Sequence, residues 1–285
     1  MTIDYEKLLN WRVPEIVHTY TKRDTMLYAL GIGLGGDPVD HGQLRYVYEP
    51  ELVAMPSMAV VLGYPGFWLK DPGTGVDWKR VVHGEQSLRI LNPLPVEGTV
   101  VGTTRVEAIV DKGADKGAII HSRRDISDRE SGEALATVSM STFCRGDGGF
   151  GGPAGPSPKP HALPARPPDL SCDLTTMPQA ALLYRLNGDY NPLHADPEVA
   201  MAAGFDRPIL HGLCTFGAAT HAILRSCCGY DPLALHAIEA RFSAPVYPGE
   251  TIRTEIWREG DDVSFRAGAI ERDVVVLNNG RAELS

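Results

Sequence analysis

Between Tyr184 and His211 the chain gathers side chains that can move protons. Asp189, Asn191 and His194 lie within six residues of one another, and His211 follows seventeen residues after His194. A carboxylate and an imidazole held close together can serve as base and acid in one reaction at neutral pH. An Asp five residues from a His is usually a pair of solvated surface groups, so the flanking residues decide the reading. Here they read Gly188-Asp189-Tyr190-Asn191-Pro192-Leu193-His194. Pro192 disfavours helical backbone at Asn191, so a turn, not a helix face, must bring Asp189 to His194. Asp and Asn favour such turns.

Gly212 is the next candidate. It opens the longest helical pattern in the chain, and backbone N–H groups at a helix start can meet a developing negative charge. Without a side chain, Gly212 either leaves room for a reacting group or permits tight helix packing. His211, beside that helix start, reads as a structural group that satisfies local backbone. His221, inside the apolar helix, reads as a satisfied core histidine. The five cysteines (Cys144, Cys172, Cys214, Cys227, Cys228) form no CxxC pair and no zinc-ligand spacing, so neither a metal site nor a disulfide framework is expected.

The elements that must position these groups follow from local signals. Thr176-Met177-Pro178-Gln179 resembles a capping box opening a short helix that ends near Gly188. Asp196-Pro197 caps a second short helix that Gly204 ends. From Gly212 to Cys228, Leu213, Phe216, Thr220, Ile223, Leu224 and Cys227 recur at three- and four-residue spacing, and Gly229 supplies the stop. Strands are expected around Ile238–Phe242 and over Thr251–Trp257. In the first half they are expected over Leu88–Leu91, Thr99–Val110, Gly117–Ser122 and Leu135–Phe143. Antiparallel strands with a long helix give an α+β fold, in which sheet and helix bury each other's apolar faces.

The two halves echo each other. Gly36-Asp37 and Gly188-Asp189, Pro93 and Pro245, and Thr99 and Thr251 are all 152 positions apart, while Leu27-Tyr28-Ala29-Leu30 precedes Leu183-Tyr184-Arg185-Leu186 by 156. Matches in one order at nearly one offset indicate duplication of a single unit. Residues 146–169 hold six glycines and seven prolines among 24 residues, which rules out a regular helix or strand and marks an interdomain linker. The expected units are therefore 1–145 and 170–285. Gly36-Asp37-Pro38-Val39-Asp40-His41 keeps acid and imidazole but lacks the Asn, and reads as a vestige of the second-half loop.

The Gly188–His194 loop, with Arg207-Pro208-Ile209-Leu210-His211-Gly212 downstream, resembles the signature of the type 2, or MaoC-like, (R)-specific enoyl-CoA hydratases. In that family a Gly-Asp-x-Asn-Pro-x-His loop carries the catalytic Asp and His. The resemblance implies a double hot-dog fold: antiparallel sheets each wrapped around a long central helix, with a degenerate first unit that accommodates the acyl tail and a catalytic second one. It implies reversible syn hydration of a trans-2-enoyl-CoA to the (3R)-3-hydroxyacyl-CoA. Asp189 and His194 would hold the water, Gly188, Asn191 and Pro192 would set their geometry, and the Gly212 N–H would stabilise the enolate. No metal or other cofactor is implied beyond the CoA of the substrate, and a homodimer is expected. Met55, Met58, Val60, Val61, Leu62, Phe67 and Trp68 are candidates for lining the tail groove, although plain core is the commoner fate of such an apolar stretch. Arg123, Arg124, Arg145 and Arg241 are candidates for meeting the CoA phosphates.

Composition narrows the alternatives. With 36 acidic and 27 basic residues the net charge is −9, which argues against nonspecific nucleic-acid binding. No segment approaches the roughly 20 apolar residues of a membrane span. The N-terminal residues lack the pattern of a secretory signal, and Glu283-Leu284-Ser285 is not a Ser-Lys-Leu address, so a cytoplasmic location is expected, or a peroxisomal one if a C-terminal signal has been removed. Two rival readings are a hot-dog acyl-CoA thioesterase, with its acid on the central helix, and a non-catalytic acyl-binding domain.

Overall fold

The computed structural model describes residues 2–155 and 159–285; Pro156, Ser157 and Pro158, inside the expected linker, lie outside the described residues. The first half runs α1 (Tyr5–Leu9), β1 (Ile16–Tyr20), α2 (Lys22–Gly31), α3 (His41–Leu44), β2 (Val81–Ile90), β3 (Gly98–Asp111), β4 (Ala118–Asp128) and β5 (Ala134–Cys144). The second runs β6 (Leu170–Thr175), α4 (Ala180–Tyr184), α5 (Pro197–Ala202), α6 (Gly212–Cys227), β7 (Leu235–Phe242), β8 (Thr251–Glu259), β9 (Asp262–Ala269) and β10 (Val274–Leu284). Ten strands form one sheet in the order β1-β3-β4-β5-β2-β7-β10-β9-β8-β6. Each half contributes five strands in the same permutation, which is the structural form of the sequence echo. The halves join edge to edge where β2 pairs antiparallel with β7, Glu85 opposite Arg241 and Leu88 opposite Ile238. Arg241 donates through Nε (3.0 Å) and Nη2 (2.6 Å) to Glu85 Oε1, and Arg89 donates to Glu283 (2.9 Å), both across this seam.

The second half is built around α6. Its residues from Cys214 to Leu224 are all buried, because the three- and four-residue apolar spacing is filled in by Ala218, Ala219 and Ala222, which let strands approach on every side. Gly229, with φ +55°, follows the helix as expected. α5 begins on Asp196, whose carboxylate accepts the amide of Glu198 at 2.9 Å. The Thr176 capping box does not form. Thr176 Oγ1 instead donates to Glu250 O (2.8 Å) and accepts from Gly249 N (2.9 Å), tying the start of α4 to the turn before β8. α4 starts only at Ala180, with Gln179 as its cap residue and no side-chain cap bond.

The first half lacks a counterpart of α6 among the described residues. At the equivalent position a 3-10 turn runs from Pro56 to Val60, all five residues buried. Pro56, Gly63, Pro65 and Gly66 deny that stretch a long helix. Met55 and Met58, 1% and 2% exposed, lie in the core shared by both halves, so the structure places them as packing residues and not on an open groove wall. β2 begins at Val81, seven residues before the expected Leu88. The Val81–Glu85 stretch lacks alternation, and its strand conformation comes from pairing with β5 through a bulge at Gly84. The described residues at the end of the linker are pinned by side chains: Trp257 Nε1 donates to Arg166 O at 2.7 Å, and His161 Nε2 lies 2.7 Å from Ser264 Oγ.

Candidate active site

The Asp189 loop is shaped by local hydrogen bonds. Gly188 ends the 3-10 turn Arg185–Asn187 with φ +109°, a conformation that a side chain would strain. The amide of Asn191 donates to Asp189 Oδ1 (3.1 Å), and Asn191 Oδ1 accepts the amide of Leu193 (3.2 Å), capping the Pro192–His194 turn. Two consecutive side-chain-capped turns fold the chain back on itself, and the ligand atoms of Asp189, His194 and His211 come within 4.8 Å of one another.

The tautomers follow from the acceptors. His194 Nδ1 lies 2.8 Å from the carbonyl of Ile209; a carbonyl only accepts, so Nδ1 carries the proton and Nε2 is the basic nitrogen. By the same logic His211 Nε2 donates to the backbone carbonyl of Asp189 at 3.1 Å, leaving His211 Nδ1 bare and buried. The two rings stack with centroids 3.7 Å apart and planes 28° from parallel. Burial pushes the His194 pKa below its ordinary value, against the opposing pull of the Ile209 bond and the Asp189 charge. His211 is pushed down to about 4 by burial first and the neighbouring His194 second. Both rings are neutral at pH 7.

Gly212 is the first residue of α6, and no side chain caps that helix. A Cβ at Gly212 would stand 3.1 Å from Cε1 of Phe242, so the ring leaves little space for one. Phe242 in turn packs on His83 of β2, centroids 4.5 Å apart, across the seam between the halves. His83 Nε2 is buried without a partner among the described residues, and burial pushes its pKa down to about 4, with the Asp189 charge opposing. Tyr64, also from the first half, has its pKa pushed up to about 12 by burial and then by Asp189. The Asp189 carboxylate thus acts on groups from both halves. His83 and Tyr64 are residues that sequence reasoning missed: neither has an echo at the 152-residue offset, and the strand pairing at the seam is what brings His83 in.

The remaining sequence-predicted groups do not assemble into one phosphate site. Arg123 and Arg124 are adjacent on β4 and point to opposite faces. Arg123 is tied to Asp125 (2.8 Å), Arg241 to Glu85, and Arg145 is exposed at the end of β5. Arg124 is 6% exposed. In the vestigial loop, Asp40 caps α3 and Asp37 accepts the amide of Val39, so both acids serve local turns. A cavity of about 310 Å³ lies on another flank of α6, lined by Gly33, Asp37, Thr176, Cys214, His221 and Arg225; Asp189 and His194 are not on its wall. Asp189 itself is half-buried beside the exposed Tyr190, so the pair is reached from the loop side.

Two five-stranded units fused edge to edge, with a buried helix in the second, are a double hot-dog fold. Residues 160–279 match the MaoC like domain, and residues 18–146 match the MFE-2 hydratase 2 N-terminal domain. The chain is 40% identical to the probable enoyl-CoA hydratase 2 of Dictyostelium discoideum, over 99% of this chain and 97% of that one. It is 41% identical to the peroxisomal enoyl-CoA hydratase 2 of Arabidopsis thaliana, over 95% and 92% respectively. The crystal structure of a MaoC-like dehydratase from Phytophthora capsici superposes with a TM-score of 0.87 at 36% identity, covering 98% of each chain. The chain belongs to the MaoC-like hydratase 2 family.

Proposed function

We propose that this protein is a hydro-lyase that adds water reversibly across the C2=C3 bond of a trans-2-enoyl-CoA, giving the (3R)-3-hydroxyacyl-CoA. One observation carries the assignment of roles: His194 is anchored through Nδ1 on Ile209 O, which leaves Nε2 as its basic nitrogen, and the ring has a nitrogen within 4.8 Å of an Asp189 carboxylate oxygen. A water held between carboxylate and imidazole gives its hydroxyl to C3. The pair takes one proton from that water and returns one to C2 on the same face, so the addition is syn and no proton is gained or lost overall. As the C3–O bond forms, charge moves to the thioester oxygen, and the Gly212 N–H at the uncapped start of α6 is the donor for it. Asn191, Gly188 and Pro192 act through the loop's shape. In this mechanism the residues need no metal or redox group.

The CoA thioester is the partner molecule, and we place the acyl tail toward the first half, where Tyr64 and His83 lie within electrostatic reach of Asp189. A homodimer acting in the cytoplasm or the peroxisome completes the reading; no helix among the described residues is long and apolar enough to cross a membrane. The test is to supply a trans-2-enoyl-CoA and resolve the products on a chiral column while titrating free thiol. The expected product is the 3R alcohol with no thiol release. Thiol release without hydration points to a thioesterase, and binding without turnover points to an acyl-binding domain.

A further inference from the structure

Arg124 is the only buried arginine or lysine among the described residues, 6% exposed on the core-facing side of β4 between Ser122 and Ile126. A guanidinium has five N–H donors. Here Nη2 donates to the carbonyl of Val60 at 2.7 Å, Nε is buried without an acceptor, and the Tyr64 ring covers the group at 5.3 Å. No carboxylate pairs with it among the described residues, and burial pulls its pKa down to about 10. The other buried charges are answered: Asp111 by the amides of Gly113, Gly149 and Gly151, Asp147 by the amide of Asp77, and Glu250 by Arg272. A cation kept from water with no counter-charge is costly, and an anion brought by a ligand offsets that cost.

The surroundings indicate where on the ligand such an anion sits. Val60 ends the Pro56–Val60 turn that covers the first-half sheet. Tyr64, 37% exposed, feels both the Arg124 cation and the Asp189 carboxylate. The guanidinium therefore lies behind an aromatic ring, 5.3 Å from its centroid, whose hydroxyl is within electrostatic reach of Asp189, on the side where the acyl tail is placed. We propose that Arg124, covered by Tyr64, reads a carboxylate at the far end of the acyl tail, so that 2-enoyl-CoA thioesters bearing a second, terminal carboxylate are a substrate class of this protein. The inference rests on the hydration reading given above. CoA's own phosphates are the other source of anionic oxygens, and they are common to every substrate.

The experiment measures kcat/KM for trans-2-enoyl-CoAs in matched pairs of graded length, one ending in methyl and one in carboxylate, with the wild type, Arg124→Met and Arg124→Lys. Thermal melts run alongside. The wild type is expected to turn over both kinds, and Arg124→Met to lose about tenfold or more on the carboxylate-ended substrate at the matching length. The methyl-ended substrates should be nearly unaffected, and Arg124→Lys should retain part of the carboxylate activity. Equal losses on both kinds would assign Arg124 to CoA or to the fold and overturn the proposal. So would a wild type that hydrates methyl-ended substrates but no carboxylate-ended one. A wild type that hydrates neither would instead overturn the hydration reading itself.

Discussion

His194 and His211 lie face to face, ring centroids 3.7 Å apart, and each is fixed by a backbone carbonyl: Ile209 O for the first, Asp189 O for the second. His211 thus holds the backbone of the acid while its ring supports the imidazole, which makes it a positioning residue. His211→Phe keeps a flat ring but removes the donor, and it should lower kcat about two- to tenfold, the range of one hydrogen bond, with KM nearly constant. His211→Gln, which can restore a donor at that reach, should recover part of the loss. Steady-state kinetics on both variants checks this.

Because burial holds His194 below the ordinary imidazole value of 6.5, its Nε2 stays available as a base in mildly acidic solution. The acid limb of the kcat/KM profile should therefore fall below pH 6.5, not at it. Initial rates with a trans-2-enoyl-CoA across roughly pH 4 to 8, the span that brackets imidazole titration, locate that limb.

Stability should follow the same groups. His83, His211 and His221 are each pushed down to about 4 from 6.5, chiefly by burial. Between those values the unfolded chain binds protons that the folded chain refuses, so the stability gradient with pH is positive there. The contribution is fully present above pH 6.5 and is lost as pH falls toward 4. Melting temperatures should be level above the upper value and decline steadily beneath it; replacing His221 by Asn should flatten part of that slope.

At the start of α6 the constraint is steric. Gly212→Ala puts a methyl 3.1 Å from Phe242, which must shift toward His83 or push the helix start away from its place. Since one misplaced backbone donor can cost about 10²-fold in turnover, kcat should drop by about tenfold or more. Adding Phe242→Leu makes room and should restore activity in the double variant, a rescue that kinetics on all three proteins would reveal.

Much of the site was legible because it is local. Asp189, Asn191 and His194 fall in one turn that Pro192 and Gly188 dictate, and Asp196, Gly204, Gly212 and Gly229 mark helix ends by capping chemistry that acts within a few residues. What was hidden depends on pairing between distant segments. β2 becomes a strand at Val81 only because β5 lies alongside it, and its edge pairing with β7 is what carries His83 to Phe242 and Asp189. Thr176 suits a helix cap by sequence, but the carbonyl of Glu250, 74 residues away, takes its hydroxyl. The four arginines looked alike as charges; the period-two alternation of β4 turns Arg124 inward and leaves Arg123 outside with Asp125. That no first-half counterpart of α6 forms among the described residues follows from Pro and Gly around residues 56–66, which the duplication pattern alone did not reveal.

The central claim is that Asp189 and His194 together activate one water, and Asp189→Asn and His194→Ala test it most directly. Loss of enoyl absorbance from a trans-2-enoyl-CoA should slow by about 10²- to 10⁴-fold in each variant, with folding intact by circular dichroism. Wild-type rates of hydration in both well-folded variants would contradict the account.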